Sequence, residues 1–248
     1  MSGKPHVLVV AGTDSSGGAG VTRDVETIAA LGLRSCVAVT AVTVQTHSSV
    51  DRILPMSPTL VGEQMRAALA ANRVKAVKIG MLGTQAVIKE VVSILSDRAD
   101  IAVVLDPVLA SSSGRPLLVE GAIADLRRAL MPLCRLVTPN LIELAALTRS
   151  ALAADDIAAC RQGEELARAL GTAVLVKGGH ANGAEAVDVL LRPDHPAVHF
   201  GAPRLRGAMR GTGCMLSSAI AASLARGESL ETCVRRAKQH VFESLARA

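Results

Sequence analysis

The chain has 248 residues, 50% of them hydrophobic and 20% charged, with a net charge of +5 and only two aromatic residues, Phe200 and Phe242. That is ample apolar material for a packed core and far from the composition of a disordered chain. Basic residues are scattered and stacking aromatics are missing, which argues against a nucleic-acid partner.

In chain order, aliphatic runs alternate with helical patterns. "HVLVVA" (6–11) reads as a strand, followed by a glycine-rich turn and a helix over 18–31. "SCVAVTAVTV" (35–44) is read as one strand, then a helix over 58–71. "KAVKIG" (75–80) and "IAVVLD" (101–106) are strands followed by helices over 84–96 and 119–130. "RLVTP" (135–139) leads to helices over 140–147 and 156–170, and "AVLVKG" (173–178) follows. Most of these runs lack period-2 alternation, as expected of strands covered on both faces. The alternation predicts an α/β fold with three layers, a central mostly parallel sheet flanked by helices. After 178, "EAVDVLL" (185–191) and "PAVHF" (196–200) read as an antiparallel pair turning at "RPDHP". Helices over 212–226 and 229–246, split at Gly227, close the chain. With no linker, repeat or low-complexity segment, one domain is expected over 1–248.

The five cysteines, at 36, 134, 160, 214 and 233, are odd in number and form no CxxC pair. Reduced thiols in a cytoplasm are the expectation. The start has no signal-peptide layout, and no stretch is apolar enough to span a bilayer, so no membrane partner is expected.

Ligands of such sheets bind beyond the carboxyl ends of the strands. Polar or small residues stand at just those places: Gly12–Asp14, Gln45, Met81, Asp106, Asn140 and Lys177–His180. Gly17, Gly18 and Gly20 open the first helix and leave backbone exposed to a close partner. They match neither a P-loop nor the dinucleotide spacing, and alone they suit a tight turn. A second motif, Gly211, Thr212, Gly213 and Cys214, starts a long Ala/Ser-rich helix. Helix starts stabilise a developing negative charge, and a Cys in the first turn is expected to have a lowered pKa. The other four cysteines are read as packing residues. Lys177, one of six lysines, ends an aliphatic run where a solvated lysine is not expected.

"AGTDSSGGAG" with "GTGC", joined in order by "KIGML", "LDPV", "SGRPLL", "TPNLIE", "VKGGH" and "AK", resembles the hydroxymethylpyrimidine/phosphomethylpyrimidine kinases of thiamine biosynthesis, in the ribokinase-like superfamily. The resemblance runs nearly end to end. It implies ATP-dependent phosphorylation of 4-amino-5-hydroxymethyl-2-methylpyrimidine, then of its monophosphate, with Mg²⁺. It places Gly12, Ala19, Asp24, Gln45, Met81 and Val108 at the pyrimidine, so that a flat ring is expected against the first glycine turn. It makes Cys214 the group that activates the acceptor hydroxyl, and Gly211, Thr212 and Gly213 the anion hole. Lys177, Gly179, Asn140, Thr212 and Lys238 fall on ATP positions. Asp106 and Glu143 fall on the Mg²⁺ network, with contact through water. Relatives of this kind imply a homodimer.

The chain departs from the family pattern around the substrate mouth. Ser49 stands for a Gly, Ser112 for a Lys, Arg115 for an Asp, Ile142 for a Pro and Arg210 for a His. Arg115 or Arg210 is expected to supply the cation for a phosphorylated acceptor. Two other readings stand beside this one. One is a kinase of another hydroxymethyl heterocycle, such as a pyridoxine-type vitamer. The other is a protein that binds the pyrimidine without transfer, which an anion hole next to a lysine disfavours.

Overall fold

The computed structural model describes residues 4–111, 113–119, 121–178, 184–205 and 209–247. The chain runs β1 (His6–Ala11), α1 (Gly20–Ala30), β2 (Arg34–Val39), β3 (Ala41–Gln45), β4 (Val50–Pro55), α2 (Pro58–Ala71), β5 (Val74–Ile79), α3 (Gln85–Leu95) and β6 (Ala102–Leu105). It continues with α4 (Ala122–Asp125), β7 (Leu136–Val137), α5 (Leu141–Thr148), α6 (Asp156–Leu170), β8 (Ala173–Val176), β9 (Glu185–Arg192), β10 (His195–Pro203), α7 (Thr212–Ala225) and α8 (Leu230–Ala246). The helix expected over 119–130 starts at Ala122, and α4 runs on as a wider π turn (Leu126–Leu130) and a 3-10 turn (Met131–Leu133).

Eight strands form one sheet in the order β10-β9-β8-β7-β6-β5-β1-β2. The six from β8 to β2 are parallel, while β9 pairs antiparallel with both β8 and β10. Pro193 and Asp194 make the β9–β10 turn, with Asp194 at φ 57°. Side chains of β1 alternate between two cores. Leu8 and Val10 pack under α2 to α6, and Val7, Val9 and Ala11 under α1, α7 and α8. This is the three-layer arrangement predicted from the aliphatic runs. No helix of the described residues is long and apolar enough to cross a membrane.

The run 35–44 is not one strand. It breaks at the buried Thr40, whose Oγ1 donates to Met81 O at 2.6 Å and whose N donates to Ala11 O at 3.0 Å. Beyond that hinge β3 leaves the main sheet and pairs antiparallel with β4, a strand the sequence pattern did not reveal. The hairpin turns Val42, Val44 and Leu54 outward, so its pattern is not that of a core strand.

α7 lies deep in the molecule, with ten of its residues buried, most of them Ala or Ser. Small side chains let it approach α1, α8 and the sheet closely. A fully buried ion pair crosses its flank: Lys78 Nζ on β5 stands 2.7 Å from Asp24 Oδ2 on α1, and Ser218 Oγ of α7 donates to Asp24 Oδ1 at 2.7 Å. Burial alone would lower the Lys78 pKa, but Asp24 more than reverses this and keeps the ammonium charged.

Removing one partner of such a pair strands the other charge in the core. Lys78→Met is therefore expected to cost about 3–5 kcal/mol in denaturant unfolding, with the Asp24→Asn/Lys78→Met double variant regaining much of it. A Lys78→Met protein as stable as wild type would contradict this.

Candidate active site

The order of the sheet reverses between β1 and β5: β2 lies to one side of β1, and β5 through β8 lie to the other. That is where open α/β sheets form their ligand crevice. Gly12 follows β1 and Met81 follows β5, and a Cβ on Gly12 would stand 3.1 Å from Met81 Sδ. Gln45 ends β3 beside them. Its N donates to Ser15 Oγ at 2.8 Å, Ser15 Oγ donates to Gln45 O at 2.8 Å, and Gln45 Oε1 accepts from Thr43 Oγ1 at 3.3 Å. Val108, half-buried, follows β6. Gly12, Gln45, Met81 and Val108 thus stand at or just beyond the carboxyl ends of four strands, β1, β3, β5 and β6.

Within the first glycine turn Gly20 faces backbone, whereas Gly18 faces the side chains of Arg210 and Asp14. Gly20 has φ +59°, and a Cβ there would stand 2.5 Å from Gly12 O. Gly211 has φ +74°, and a Cβ on it would stand 2.3 Å from Gly18 O and 3.2 Å from Ala19 Cα. The two glycine motifs, far apart in sequence, meet with no side chain between them. Both α1 and α7 begin without a capping side chain, at Ala19 and Gly211, whereas Ser57, Thr84, Asn140, Asp155 and Ser229 cap α2, α3, α5, α6 and α8. Uncapped N–H groups at a helix start favour an anion.

Opposite the start of α7 lies a charge cluster. Lys177 Nζ, after β8, is 2.7 Å from Asp106 Oδ1, after β6, and 3.7 Å from Glu143 Oε2 on α5. Thr138 Oγ1 donates to Asp106 Oδ1 at 3.4 Å and Ser217 Oγ to Asp106 Oδ2 at 3.5 Å. Burial opposes the charge of Asp106, but Lys177 and Lys78 hold its carboxyl below the usual range. Glu143 goes the other way, pushed up by burial and by Asp106 against the pull of Lys177. Lys177 is held above its usual range, because Asp106 and Glu143 outweigh burial. A Cβ on Gly213 would stand 3.4 Å from Lys177 Nζ and 3.5 Å from Asp106 Oδ2, so the first turn of α7 lies against the cluster. Asn140 and Glu143 also form a reciprocal cap on α5: Glu143 N donates to Asn140 Oδ1 at 2.9 Å, and Asn140 N to Glu143 Oε2 at 2.7 Å. The dipole-favoured acid and the site acid are the same residue.

Two expectations are corrected and a third is narrowed. Asp24 is fully buried, and both its oxygens are taken by Lys78 and Ser218, so neither is open to a substrate. The Cys214 thiol is not lowered by its helix start; burial pushes it up to about 11, with Lys78 as the opposing cation. The expectation for Arg115 and Arg210 is narrowed, since each already spends one guanidinium nitrogen on the protein. Arg115 Nη1 donates to the carbonyls of Val50 and Asp51, and Arg210 Nη1 to Ser16 Oγ and Thr46 O. Lys238 Nζ is bound to Asp188 Oδ2 at 2.7 Å, and Asp188 Oδ1 accepts from Gly178 N at 2.9 Å, so it braces the chain after Lys177. Gly179 and Ser112 lie outside the described residues. Lys78 was missed as a site residue, although it carries the same signal as Lys177, a lysine inside an aliphatic run.

Asp106 and Glu143 suit Mg²⁺ that arrives with a nucleotide, since that ion is commonly held by one or two carboxylates plus phosphates and water. No cluster of three or more acid, His or Cys ligands forms a closed cage among the described residues.

A family described as phosphomethylpyrimidine kinase matches residues 14–248. The hydroxymethylpyrimidine/phosphomethylpyrimidine kinase of Rhizobium meliloti is 41% identical over 245 residues, covering 97% of this chain and 90% of its own. The enzyme of the same description from Escherichia coli is 36% identical, covering 98% and 91%. The crystal structure of phosphomethylpyrimidine kinase from Clostridium difficile superposes with a TM-score of 0.83 at 34% identity, over 97% of this chain and 99% of that one. Pyridoxal kinase of Staphylococcus aureus, solved with pyridoxal, superposes at 0.88 with 27% identity, over 98% and 89%. With the crevice at the reversal of the sheet and the two glycine motifs packed together above it, these matches place the chain in the phosphomethylpyrimidine kinase family.

Proposed function

We propose that this chain, acting as one domain, transfers the γ-phosphoryl group of ATP to the hydroxymethyl group of 4-amino-5-hydroxymethyl-2-methylpyrimidine and then to the resulting monophosphate, in thiamine biosynthesis. The observation that carries the reading is the placement of Gly211–Cys214, with Gly211 against Gly18 and Ala19 of the turn that follows Gly12, and Gly213 against the Lys177–Asp106 pair. A pyrimidine ring suits the apolar Met81 and Val108, and Gln45 can donate and accept at an aminopyrimidine edge. We further infer a cytoplasmic homodimer. The exposed apolar face of Val42, Val44 and Leu54 on the hairpin supports the second copy.

In the transfer, a bond forms between the hydroxymethyl oxygen and the γ-phosphorus as the bond from phosphorus to the bridging oxygen breaks, and ADP leaves. Such a transition state is loose, so catalysis is chiefly positioning and charge stabilisation. The N–H groups at the start of α7 and the Lys177 ammonium meet the negative charge on the γ-oxygens. Mg²⁺, held by Asp106 and Glu143 in part through water, would neutralise charge on the phosphates. The hydroxyl proton passes to Cys214 Sγ. A thiol with a pKa of about 11 accepts a proton only from its ionised minority, and the buried Lys78 ammonium supports that form.

This gives a pH dependence with a definite sign. In kcat/KM for the acceptor, which reports the free enzyme, activity rises with pH by about tenfold per unit from 7 to 9 where chemistry is limiting. Cys214→Ala lowers kcat by about 10²–10⁴-fold, with little change in KM for ATP, and loses the pH rise. A flat wild-type profile with a near-normal Cys214→Ala enzyme would reduce Cys214 to packing.

Lys177→Ala raises the KM for ATP and leaves pyrimidine binding intact, as read by calorimetry with the pyrimidine alone. Loss of pyrimidine affinity with normal ATP use would reverse the assignment. A phosphorus NMR time course with hydroxymethylpyrimidine and excess ATP is expected to show the monophosphate first and the diphosphate after it. Monophosphate as the only product would remove the second transfer from this reading.

A further inference from the structure

Arg210 lies directly before Gly211, outside the machinery described above, yet it ties its own loop to two other segments. Its Nη1 donates to Ser16 Oγ at 3.0 Å in the turn after β1, and to Thr46 O at 2.8 Å in the loop of the β3–β4 hairpin. Its Nη2 faces Asp14 Oδ2 at 3.4 Å. Asp14 is buried, and its Oδ1 is already used by Ser16, accepting from N at 2.9 Å and from Oγ at 2.7 Å. Asp14 Oδ2 accepts no hydrogen bond among the described residues, so the guanidinium is the charge that offsets it. The Arg210 side chain packs on Gly18, where a Cβ would stand 3.4 Å from Arg210 Nη1 and 3.5 Å from Arg210 Cβ, in ordinary contact.

The three segments carry different parts of the site. The loop at Arg210 opens the anion hole at the start of α7. The turn at Asp14 and Ser16 follows Gly12. The hairpin loop follows Gln45, which Ser15 also ties to that turn through both its N and its O. A planar guanidinium with several donors in fixed directions can hold such a junction rigidly, where a single ammonium cannot. Any movement of the α7 loop onto phosphate oxygens is passed through Arg210 to the hairpin at Thr46, and so to Gln45.

We propose that Arg210 is a positioning residue that couples the two substrate sites, so that nucleotide bound at the start of α7 raises affinity for the acceptor held by the Gln45 hairpin. The proposal rests on the function given above, and it requires reciprocity, since a coupling between two binding sites acts equally in both directions. Loss of Arg210 separates the sites without removing a group that touches either ligand.

Calorimetric titration of hydroxymethylpyrimidine into the full chain, alone and saturated with a non-hydrolysable ATP analogue and Mg²⁺, tests it. In wild type the analogue tightens pyrimidine binding by about 5- to 150-fold, the usual range for coupled sites, and the pyrimidine tightens the analogue equally. In Arg210→Ala the ratio falls to about one, while nucleotide affinity without acceptor stays within about twofold. Arg210→Lys keeps the charge opposite Asp14 and so preserves folding, but it lacks the fork and leaves the ratio low. The Asp14→Asn/Arg210→Gln variant removes the buried charge altogether and also loses the ratio. A wild-type ratio of one, or a wild-type ratio retained in either folded variant, would overturn the coupling while leaving the proposed function standing. Absence of binding of either ligand to wild type would overturn both.

Discussion

Two ammonium groups between the sheet and α7, Lys78 fully buried and Lys177 half-buried, set the terms for the rest of the molecule. Lys78 projects from β5 and Lys177 follows β8, and neither is stable in a low-dielectric interior without a carboxylate beside it. The partners come from elsewhere. Asp24 reaches Lys78 from α1, Asp106 reaches Lys177 from the end of β6, and Glu143 adds to it from α5. Each pairing is satisfied only if those elements stand in the observed register. The requirement that buried charge be paired therefore fixes the same geometry that assembles the site.

Around these charges the backbone has to come close. Gly211 against Gly18 O and Gly20 against Gly12 O are places where even a methyl group would intrude, and Gly213 lies within contact distance of the Lys177–Asp106 pair. The helix that results starts uncapped, next to an ammonium, with a thiol in its first turn. The helix end favours a thiolate by about 0.3–1 kcal/mol at exposed sites, and burial outweighs it here. A resting thiol suits a site that must also admit a highly charged nucleotide, because a permanent anion at Cys214 would repel the γ-phosphoryl group.

Much of this was legible in the residues. Buried strands without alternation, and small or polar residues at each strand end, gave away the layers and the crevice. Lys177 stood out because a lysine ended an aliphatic run. Lys78 carried the same mark within "KAVKIG" and was passed over, since its partner Asp24 lies 54 residues away and no local pattern announces the pair. The hairpin was hidden because 35–44 holds no Gly, Pro, Asn or Asp to mark a break, and the break at Thr40 depends on hydrogen bonds to Ala11 and Met81 that only the fold supplies. By themselves the glycines of the opening turn read as a tight turn with close packing, and Gly20 does meet the Gly12 carbonyl closely. The approach of Gly211 to Gly18 O, across nearly the whole chain, is a contact that no spacing rule could reveal.

The central claim is that this assembly is a phosphoryl-transfer site for a hydroxymethyl heterocycle, with the pyrimidine as its own acceptor. Steady-state ADP release with Mg²⁺–ATP and a panel of hydroxymethyl pyrimidines and pyridines tests it most directly. The account predicts the highest kcat/KM with 4-amino-5-hydroxymethyl-2-methylpyrimidine, and weaker turnover with pyridoxine-type compounds. ADP release with the pyridines alone, or no release with any acceptor from a folded protein that binds the pyrimidine, would contradict it.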